Sequence, residues 1–439
     1  MIDSHPDSYW AETAGPEPSV AQPLDGDRQA EVAVIGGGYT GLAAARHLAG
    51  THGLDTAVLE AHRIGWGASG RNGGFALISV GKVGLEERIR RWGLEAARRS
   101  IDIGVEAVET VRDLIATESI ACDPQPDGAL LVAHRPAMVG ELQERMRVYQ
   151  EVLGYRNVEF LDRARLEEDG YLRGPSACGA IRFRTGFGLH PMKYVRGLAA
   201  AAARRGAKLF DRSPVVAWRR EGSDHLLVTP TGTVRARRVV VATNGYTPEQ
   251  LHPFFRGRLL PAASNIVVTR PLTGAEWNEV GMRTAHVYSD TRKLVFYWRR
   301  LPDGRLLFGG RGGLLDSEAA LRRRRRWLES AIAGKWPVLT EIGSDYFWYG
   351  NVCLSYDLMP HVNIVEGDPS VAYAMAYLGS GVALASYCGS LAADLVVGKA
   401  VLRDTPLTAA GLARFPLPFL RRAYLAGAYV AYGLTDRWR

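Results

Sequence analysis

The sequence predicts a mixed α/β fold built around a nucleotide-binding sheet, and three observations carry that expectation. Glu31 to Ile35 read Glu-Val-Ala-Val-Ile, whose apolar part suits a strand buried in a parallel sheet. Gly36, Gly38 and Gly41 follow with the G-x-G-x-x-G spacing. Thr56 to Leu59 then reads as a second strand and ends in Glu60. Each part has a physical task. Gly36 permits a tight turn, Gly38 lets the backbone approach a pyrophosphate, and Gly41 lets the next helix lie close to the strand. The alanine- and leucine-rich stretch Leu42 to Leu48 predicts that helix. Its unpaired N–H groups and dipole favour phosphate. Glu60 stands about 20 residues beyond the last glycine, where a carboxylate can accept hydrogen bonds from a ribose. Strand, glycines, helix, strand and acid in that order make a Rossmann-like unit.

The chain has 439 residues, enough for two domains and a large core. Hydrophobic residues are 47% and charged residues 23%, the composition of a globular protein. The net charge of +8, from 54 basic and 46 acidic residues, reads as a diffuse arginine surplus. Its sharpest run, Arg322 to Arg326, lies in the helical stretch Leu321 to Ala333, so a solvated helix face is expected and no nucleic-acid partner. Cys122, Cys178, Cys353 and Cys388 form no C-x-x-C, and no histidine cluster suits zinc. No metal is therefore expected, and reduced thiols point to the cytoplasm. Met1 to Arg28 lacks the apolar core of a signal peptide. Val371 to Ala393 is uncharged and long enough to span a bilayer, but Gly379, Gly381 and Gly389 interrupt it, so it reads as a buried strand and a helix.

Along the chain, Ser8 to Asp27 is proline-rich and expected to wrap over the surface. Leu85 to Ile120 reads as helix, Gly128 to Ala133 as strand, Arg135 to Leu153 as helix, and Tyr194 to Arg205 as helix ended by Gly206. Leu226 to Val228 and Thr233 to Ala236 suit a hairpin. Arg238 to Thr243, Ile266 to Thr269, Leu294 to Trp298 and Leu306 to Phe308 read as strands.

Two further segments turn the nucleotide reading into a flavin one. Arg63 to Gly74 is glycine-rich, so its backbone can lie flat against a planar ligand. Arg63, Ser69, Arg71 and Asn72 supply donors for phosphates and ring oxygens. Far downstream, Val371 to Tyr377 leads into Leu378-Gly379-Ser380-Gly381-Val382 and a helix. That helix start would face the pyrimidine edge of a flavin and stabilise negative charge there.

These residues carry a resemblance to the FAD-dependent D-amino-acid oxidase and glycine oxidase family, on its gamma-glutamylputrescine oxidase branch. Ser8-Tyr9-Trp10, Gly65 to Gly74, His190 to Tyr194, Ala242 to Tyr246 and Leu307 to Arg311 support it, and it covers nearly the whole chain. It implies a discontinuous FAD-binding domain (28–82, 174–252 and 345–402). It also implies a discontinuous substrate domain on an antiparallel sheet (83–173 and 253–344), an N-terminal extension (1–27) and a C-terminal helical tail (403–439). It adds Tyr39, Thr40, Ala68, Gly73, Val216, Thr243 and Val382 to the cofactor-binding set, with FAD held non-covalently.

The resemblance implies oxidation of an amine C–N bond: hydride passes from the substrate carbon to flavin N5, and the imine is then hydrolysed. The acceptor is oxygen or, in the alternative reading as an amino-acid or cyclic imino-acid dehydrogenase, the respiratory chain. A non-catalytic flavin-binding protein is the third reading. Glycine-oxidase-like members hold a carboxylate-clamping arginine where this chain has Val352, which favours an amine over an α-amino acid unless Arg292, Arg299 or Arg311 substitutes. Tyr297 and His361 are the candidate catalytic residues, with Tyr288 and Trp298 as further aromatic walls. Cys353 is expected to pack rather than bond to the flavin. Ala423 to Leu434 is apolar, tyrosine-rich and flanked by arginines, so it suits either a docked C-terminal helix or an interfacial contact at the inner face of the membrane.

Overall fold

The computed structural model describes residues 5–126, 128–175, 177–400, 407–408 and 411–438. The domain boundary expected near residue 402 lies outside them. In chain order the main elements are β1 (Arg28–Ile35), α1 (Tyr39–Gly50), β2 (Thr56–Leu59), α2 (Leu85–Thr117), β3 (Ala129–Val132), β4 (Val158–Asp162), β5 (Gly179–Phe183) and α3 (Pro191–Arg204). Then follow β6 (Lys208–Phe210), β7 (Ala217–Glu221), β8 (Asp224–Thr229), β9 (Gly232–Val241), β10 (Leu260–Pro271), β11 (Val287–Asp290), β12 (Phe296–Arg300), β13 (Arg305–Arg311) and α4 (Glu318–Lys335). The chain ends with β14 (Ser344–Leu354), β15 (His361–Val365), β16 (Asp368–Met375), α5 (Gly381–Val396) and α6 (Arg421–Trp438).

The first sheet has the parallel core β6-β2-β1-β9-β16, with the β7–β8 hairpin and β15 paired antiparallel at its edges. Its central strands are apolar on both faces, as the sequence requires: Val32, Val34, Val58, Val239 and Val241 are fully buried. Two helices cross it side by side. Gly389 of α5 sits where a Cβ would press on the Thr40 carbonyl of α1, so glycine sets that close approach. The second sheet runs β14-β10-β13-β12-β11-β3-β5-β4 and is antiparallel except for the parallel β11–β3 pair.

Several expectations shift. Strands β5 and β14 belong to the second sheet, although their residues fall in stretches assigned to the FAD-binding domain. Helix α2 is broken at Gly93, whose φ of 84° lies outside helical space. It packs against α5 of the first domain rather than only within the second. The Arg135 to Leu153 stretch divides into a 3₁₀ turn, a nine-residue α-helix and a π turn. The N-terminal extension does not simply wrap the surface. It forms a short helix, Tyr9–Thr13, capped by Ser8, and inserts Trp10 into the interior with 1% exposure. Among the described residues no helix is long and apolar enough to cross a membrane.

Candidate functional site

The first glycine turn is shaped by close backbone contacts. A Cβ on Gly36 would lie 2.8 Å from the Ala242 carbonyl oxygen, and one on Gly41 would run into the carbonyl of Gly36 itself. Gly38 caps α1 and lies beside Ser69, whose hydroxyl accepts the Tyr39 N–H at 3.0 Å. The N-terminus of α1, Gly38 and Ser69 therefore form one anion cradle. Glu60 accepts the N–H groups of Gly37 (2.7 Å) and His62 (2.9 Å). Burial raises its pKa in spite of these bonds. Thr243 closes the far side, its hydroxyl 2.7 Å from that of Thr247.

The Arg63–Gly74 loop is stiffened from within. Asn72 donates its amide to the Ala68 and Ser69 carbonyls (3.1 and 3.0 Å) and to the Tyr39 hydroxyl (3.2 Å), and its Oδ1 accepts the Gly74 N–H (2.7 Å). Arg71 folds over the Trp66 ring at 4.1 Å and donates to the Trp66 carbonyl. Asn72 thus shapes the loop rather than offering donors to a ligand. Two indoles pin the loop from outside: Trp348 donates to the Arg71 carbonyl and Trp10 to the Asn72 carbonyl, both at 2.8 Å. Arg63 meets Glu17 of the extension at 2.9 Å.

The second turn is strained. Ala376 and Leu378 have φ of 65° and 53°, and Gly379 has 98°. Non-glycine residues in this region cost on the order of 1–2 kcal/mol each, and such strain gathers at ligand sites. Asn244 holds the Ala376 N–H at 2.8 Å, and Cys353 accepts the Leu378 N–H at 3.1 Å. Ser380 precedes α5 with no side-chain cap on the helix, its hydroxyl 2.8 Å from that of Ser79. Gly379 is exposed and Gly381 half-buried, while Val382 is buried beneath. Thr40 and Tyr377 join their hydroxyls at 2.8 Å and so tie the two helix starts together.

One face of the second sheet meets these turns. Register puts Tyr297 (β12), Gly309 and Arg311 (β13), Ser264 and Ala262 (β10), and Gly350 and Val352 (β14) on that face. The Tyr297 ring lies across Gly309, where any Cβ would strike it, and stands 3.1 Å from where a Gly73 Cβ would be. Its hydroxyl is 3.0 Å from Ser264, and burial pushes its pKa up to about 12. Arg311 donates to the Leu378 carbonyl. Arg299 donates to Leu189 and Gln125 beneath Trp10, and Arg292 pairs with Asp290. Arg311 and Arg299 thus bond to neutral oxygens, whereas Arg292 is held by an acid.

Other expected site residues lie elsewhere. His361 is 1% exposed and holds Asp357 at 3.0 Å, so it offers no surface beside Tyr297. Trp298 and Tyr288 stack on each other on the opposite face, against Trp336 beyond α4. Val216, 59% exposed with its N–H bonded to the Val228 carbonyl, does remain on the stretch beside Glu60, because Ser213 three residues earlier bonds its N–H to the Glu60 carbonyl. Cys353 is buried, and its thiol is pushed up to about 12. A histidine group does form: His47 and His52 each approach Asp394 at 2.7 Å, at the ends of α1 and α5 opposite the glycine turns. Hydrogen bonding accounts for it. Ser79, Ser264 and Trp10 were not legible as site residues, because each reaches the site from a separate stretch of chain.

Helix α6 docks across the same face. Leu425 and Tyr429 pack on Leu260, Ala262 and Val352, and Asp436 accepts the Lys293 and Leu294 N–H groups. Its other side stays apolar and open: Val430 is 66% and, just upstream, Phe419 is 79% exposed.

The glycine turn, the Glu60 carboxylate at the end of β2 and the second helix start fit an FAD, and at Gly38, Gly73 and Gly379 a Cβ would press on Ser69, Tyr297 and Arg311, so glycine lets the backbone lie close to these side chains. Comparison with known proteins agrees. The family model described as FAD dependent oxidoreductase matches residues 31–395. The chain is 34% identical to a probable oxidoreductase OrdL of Rhizobium meliloti, over 99% of this chain and 98% of that one. It is 30% identical to the gamma-glutamylputrescine oxidoreductase of Escherichia coli, over 99% of each. The fold matches a glycine oxidase from Geobacillus kaustophilus with a TM-score of 0.72 at 20% identity, over 89% of this chain and all of that one. The chain therefore belongs to the FAD-dependent oxidoreductase family, whose members act on amine or amino-acid CH–NH donors.

Proposed function

We propose that this enzyme oxidises the C–N bond of an amine rather than of a simple α-amino acid, with oxygen as the electron acceptor. FAD, when bound, supplies the two-electron acceptor for the hydride that leaves the substrate carbon. The rest falls to the chain. Gly36, Gly38, Gly41, Tyr39, Thr40 and Ser69 would hold the pyrophosphate, and Glu60 the ribose. Ala68, Arg71 and Gly73 would line the flavin ring, and the N–H groups after Ser380 its pyrimidine edge. The cofactor would be held non-covalently, because the Cys353 thiol is buried and protonated. Acid precipitation should therefore release the flavin to the supernatant, whereas a yellow pellet would defeat non-covalent attachment.

Tyr297 stays protonated at neutral pH, so its hydroxyl can orient an amine nitrogen between Gly73 and Ser264 without taking a proton from it. The observation that carries the amine reading is Val352. It stands where glycine-oxidase-like members hold the clamping arginine, and here it packs in an apolar patch with Leu260 and Leu425. The 30% identical relative named for gamma-glutamylputrescine supports the same reading. Anaerobic titration should bleach the flavin with gamma-glutamylputrescine and other acylated or aliphatic amines, and far less with glycine, sarcosine or D-alanine. Hydrogen peroxide should appear when air is admitted. A preference for the amino acids would overturn the amine reading, and bleaching without peroxide would point to a dehydrogenase.

The open side of α6 and its approach supports a peripheral membrane contact as well. Phe419 and Val430 are both exposed there, in the kind of apolar surface that interfacial helices insert. The protein should co-sediment with anionic liposomes, and less so after Phe419→Ser and Val430→Ser. Absence of wild-type sedimentation would rule the contact out.

A further inference from the structure

We infer that the cavity beneath the N-terminal helix binds a small monovalent anion, a halide or a short carboxylate, on the Arg299 guanidinium. The site is separate from the substrate face and does not depend on which amine is oxidised.

The first observation is the cavity itself. It has a volume of about 120 Å³ and is lined by Tyr9 and Trp10 of the extension, by Gln125 and Leu189, and by Arg299 of β12. That is room for a small ion and a few waters. Two sequence motifs that the cofactor leaves unused, Ser8-Tyr9-Trp10 and His190 to Tyr194, meet here. The His190 ring stands 4.7 Å from the Trp10 ring, and its Nε2 is 3.0 Å from the Thr13 hydroxyl. Neither Tyr297 nor Gly73 lines the cavity. The Phe75 ring stands between it and the substrate face, 5.8 Å from the Arg299 guanidinium and 5.6 Å from the Tyr297 ring.

The second observation is a buried charge without a counter-charge. Arg299 is 2% exposed. Its Nη1 donates to the Gln125 Oε1 at 2.9 Å and its Nη2 to the Leu189 carbonyl at 2.7 Å, both neutral acceptors. Gln125 in turn spends its own amide on the Arg300 carbonyl at 2.8 Å, which fixes its oxygen toward Arg299. The Arg299 Nε is buried and has no hydrogen-bond partner. Among the described residues no carboxylate comes within ion-pair distance of this guanidinium. Burial draws its pKa down to about 9, so it is still a cation at neutral pH. A buried cation with no partner is costly, and an anion in contact with it offsets that cost.

The third observation is how the cavity's acids are engaged. Asp123 and Asp303 also line it, and each already has a cation. Asp123 meets Lys193 at 2.7 Å, while Asp303 meets Arg305 at 3.0 Å and takes the Tyr9 hydroxyl. Both acids are exposed, so they stand at the mouth, whereas Arg299 lies at the floor. His190 adds no charge. Burial, then Lys193, pushes its pKa down to about 3, and its Nδ1 accepts the Lys193 N–H at 3.2 Å. One positive charge is left over at the floor, and a monovalent anion neutralises it. The acids at the mouth repel phosphate, sulfate and dicarboxylates more strongly. The bound anion would couple β12 to the extension, which reaches the flavin loop through the Trp10 N–H on the Asn72 carbonyl at 2.8 Å.

The test uses the holoenzyme in sodium gluconate, whose anion is too bulky for the cavity. Chloride, bromide or formate then replaces gluconate at constant ionic strength. Wild type should melt a few degrees higher in roughly 100 mM chloride or formate, with a saturating dependence on concentration. Saturation by chloride alone supports the site as a halide site, and saturation by formate alone supports it as a carboxylate site. Crystals grown in bromide should show its anomalous density beside the Arg299 Nε. Arg299→Met should abolish both the shift and the density. Asp303→Asn removes an acid from the mouth and should lower the half-saturating chloride concentration several-fold, with flavin content unchanged. Water alone in the cavity of the bromide crystals, or an equal chloride shift in wild type and Arg299→Met, overturns the site. Should Arg299→Met fail to fold, Asp303→Asn decides: tighter chloride binding supports the site, and unchanged or weaker binding sinks it.

Discussion

Gly41→Ala should yield a protein with little or no flavin and a stability reduced by about 3 kcal/mol or more. The added Cβ would enter the Gly36 carbonyl, so α1 must move away from β1. The helix cannot shift alone. Thr40 is tied to Tyr377, and Gly389 of α5 rests on the Thr40 carbonyl. Displacing α1 therefore disturbs both ends of the cofactor site together. Thermal unfolding and the ratio of flavin to protein absorbance would measure the effect. A variant that retains full flavin and wild-type melting would show that the helix has slack the packing does not suggest.

Trp10→Ala should cost about 3–5 kcal/mol, the usual range for emptying a fully buried tryptophan site, and should weaken FAD retention. The indole lies against His190 (4.7 Å between ring centres) and Trp348 (6.3 Å), with Arg299 over its face and its N–H on the Asn72 carbonyl. Without it the flavin loop loses one of its two external pins, and Arg299 loses the ring beneath its charge. Trp10→Phe should keep much of the packing and lose only the hydrogen bond, roughly 1 kcal/mol. Denaturant unfolding of the two variants separates those contributions, and near-equal losses would mean that the bond rather than the packing dominates.

The nucleotide half of the site was legible because its parts are contiguous. The run from β1 through Gly36, Gly38 and Gly41 to Glu60 folds locally, and each residue type has one physical reason to be there. The second turn was legible for a similar reason, since strand, glycines and helix follow one another. The substrate half was not. Adjacent Tyr297 and Trp298 look alike in sequence, yet register sends one to the flavin loop and the other to Trp336. Strand β12 is covered on both faces, so no polar–apolar alternation betrays which side is which. His361 looked reactive because its partner could not be seen, although Asp357 waits only four residues earlier. The tail offered a docked helix or an interfacial contact as alternatives, and α6 packs one side on Val352 while its other side is open.

The tie between Thr40 and Tyr377 joins residues 337 positions apart. During synthesis the first glycine turn emerges early, but its companion turn and helix α5 emerge only near the end of the chain. A nascent polypeptide thus displays half a nucleotide cradle for most of its production. The parallel pairing of β9 with β16 closes late for the same reason, and such long-range pairing is slow to form. The complete cradle therefore exists only once α5 has been made and has packed on α1.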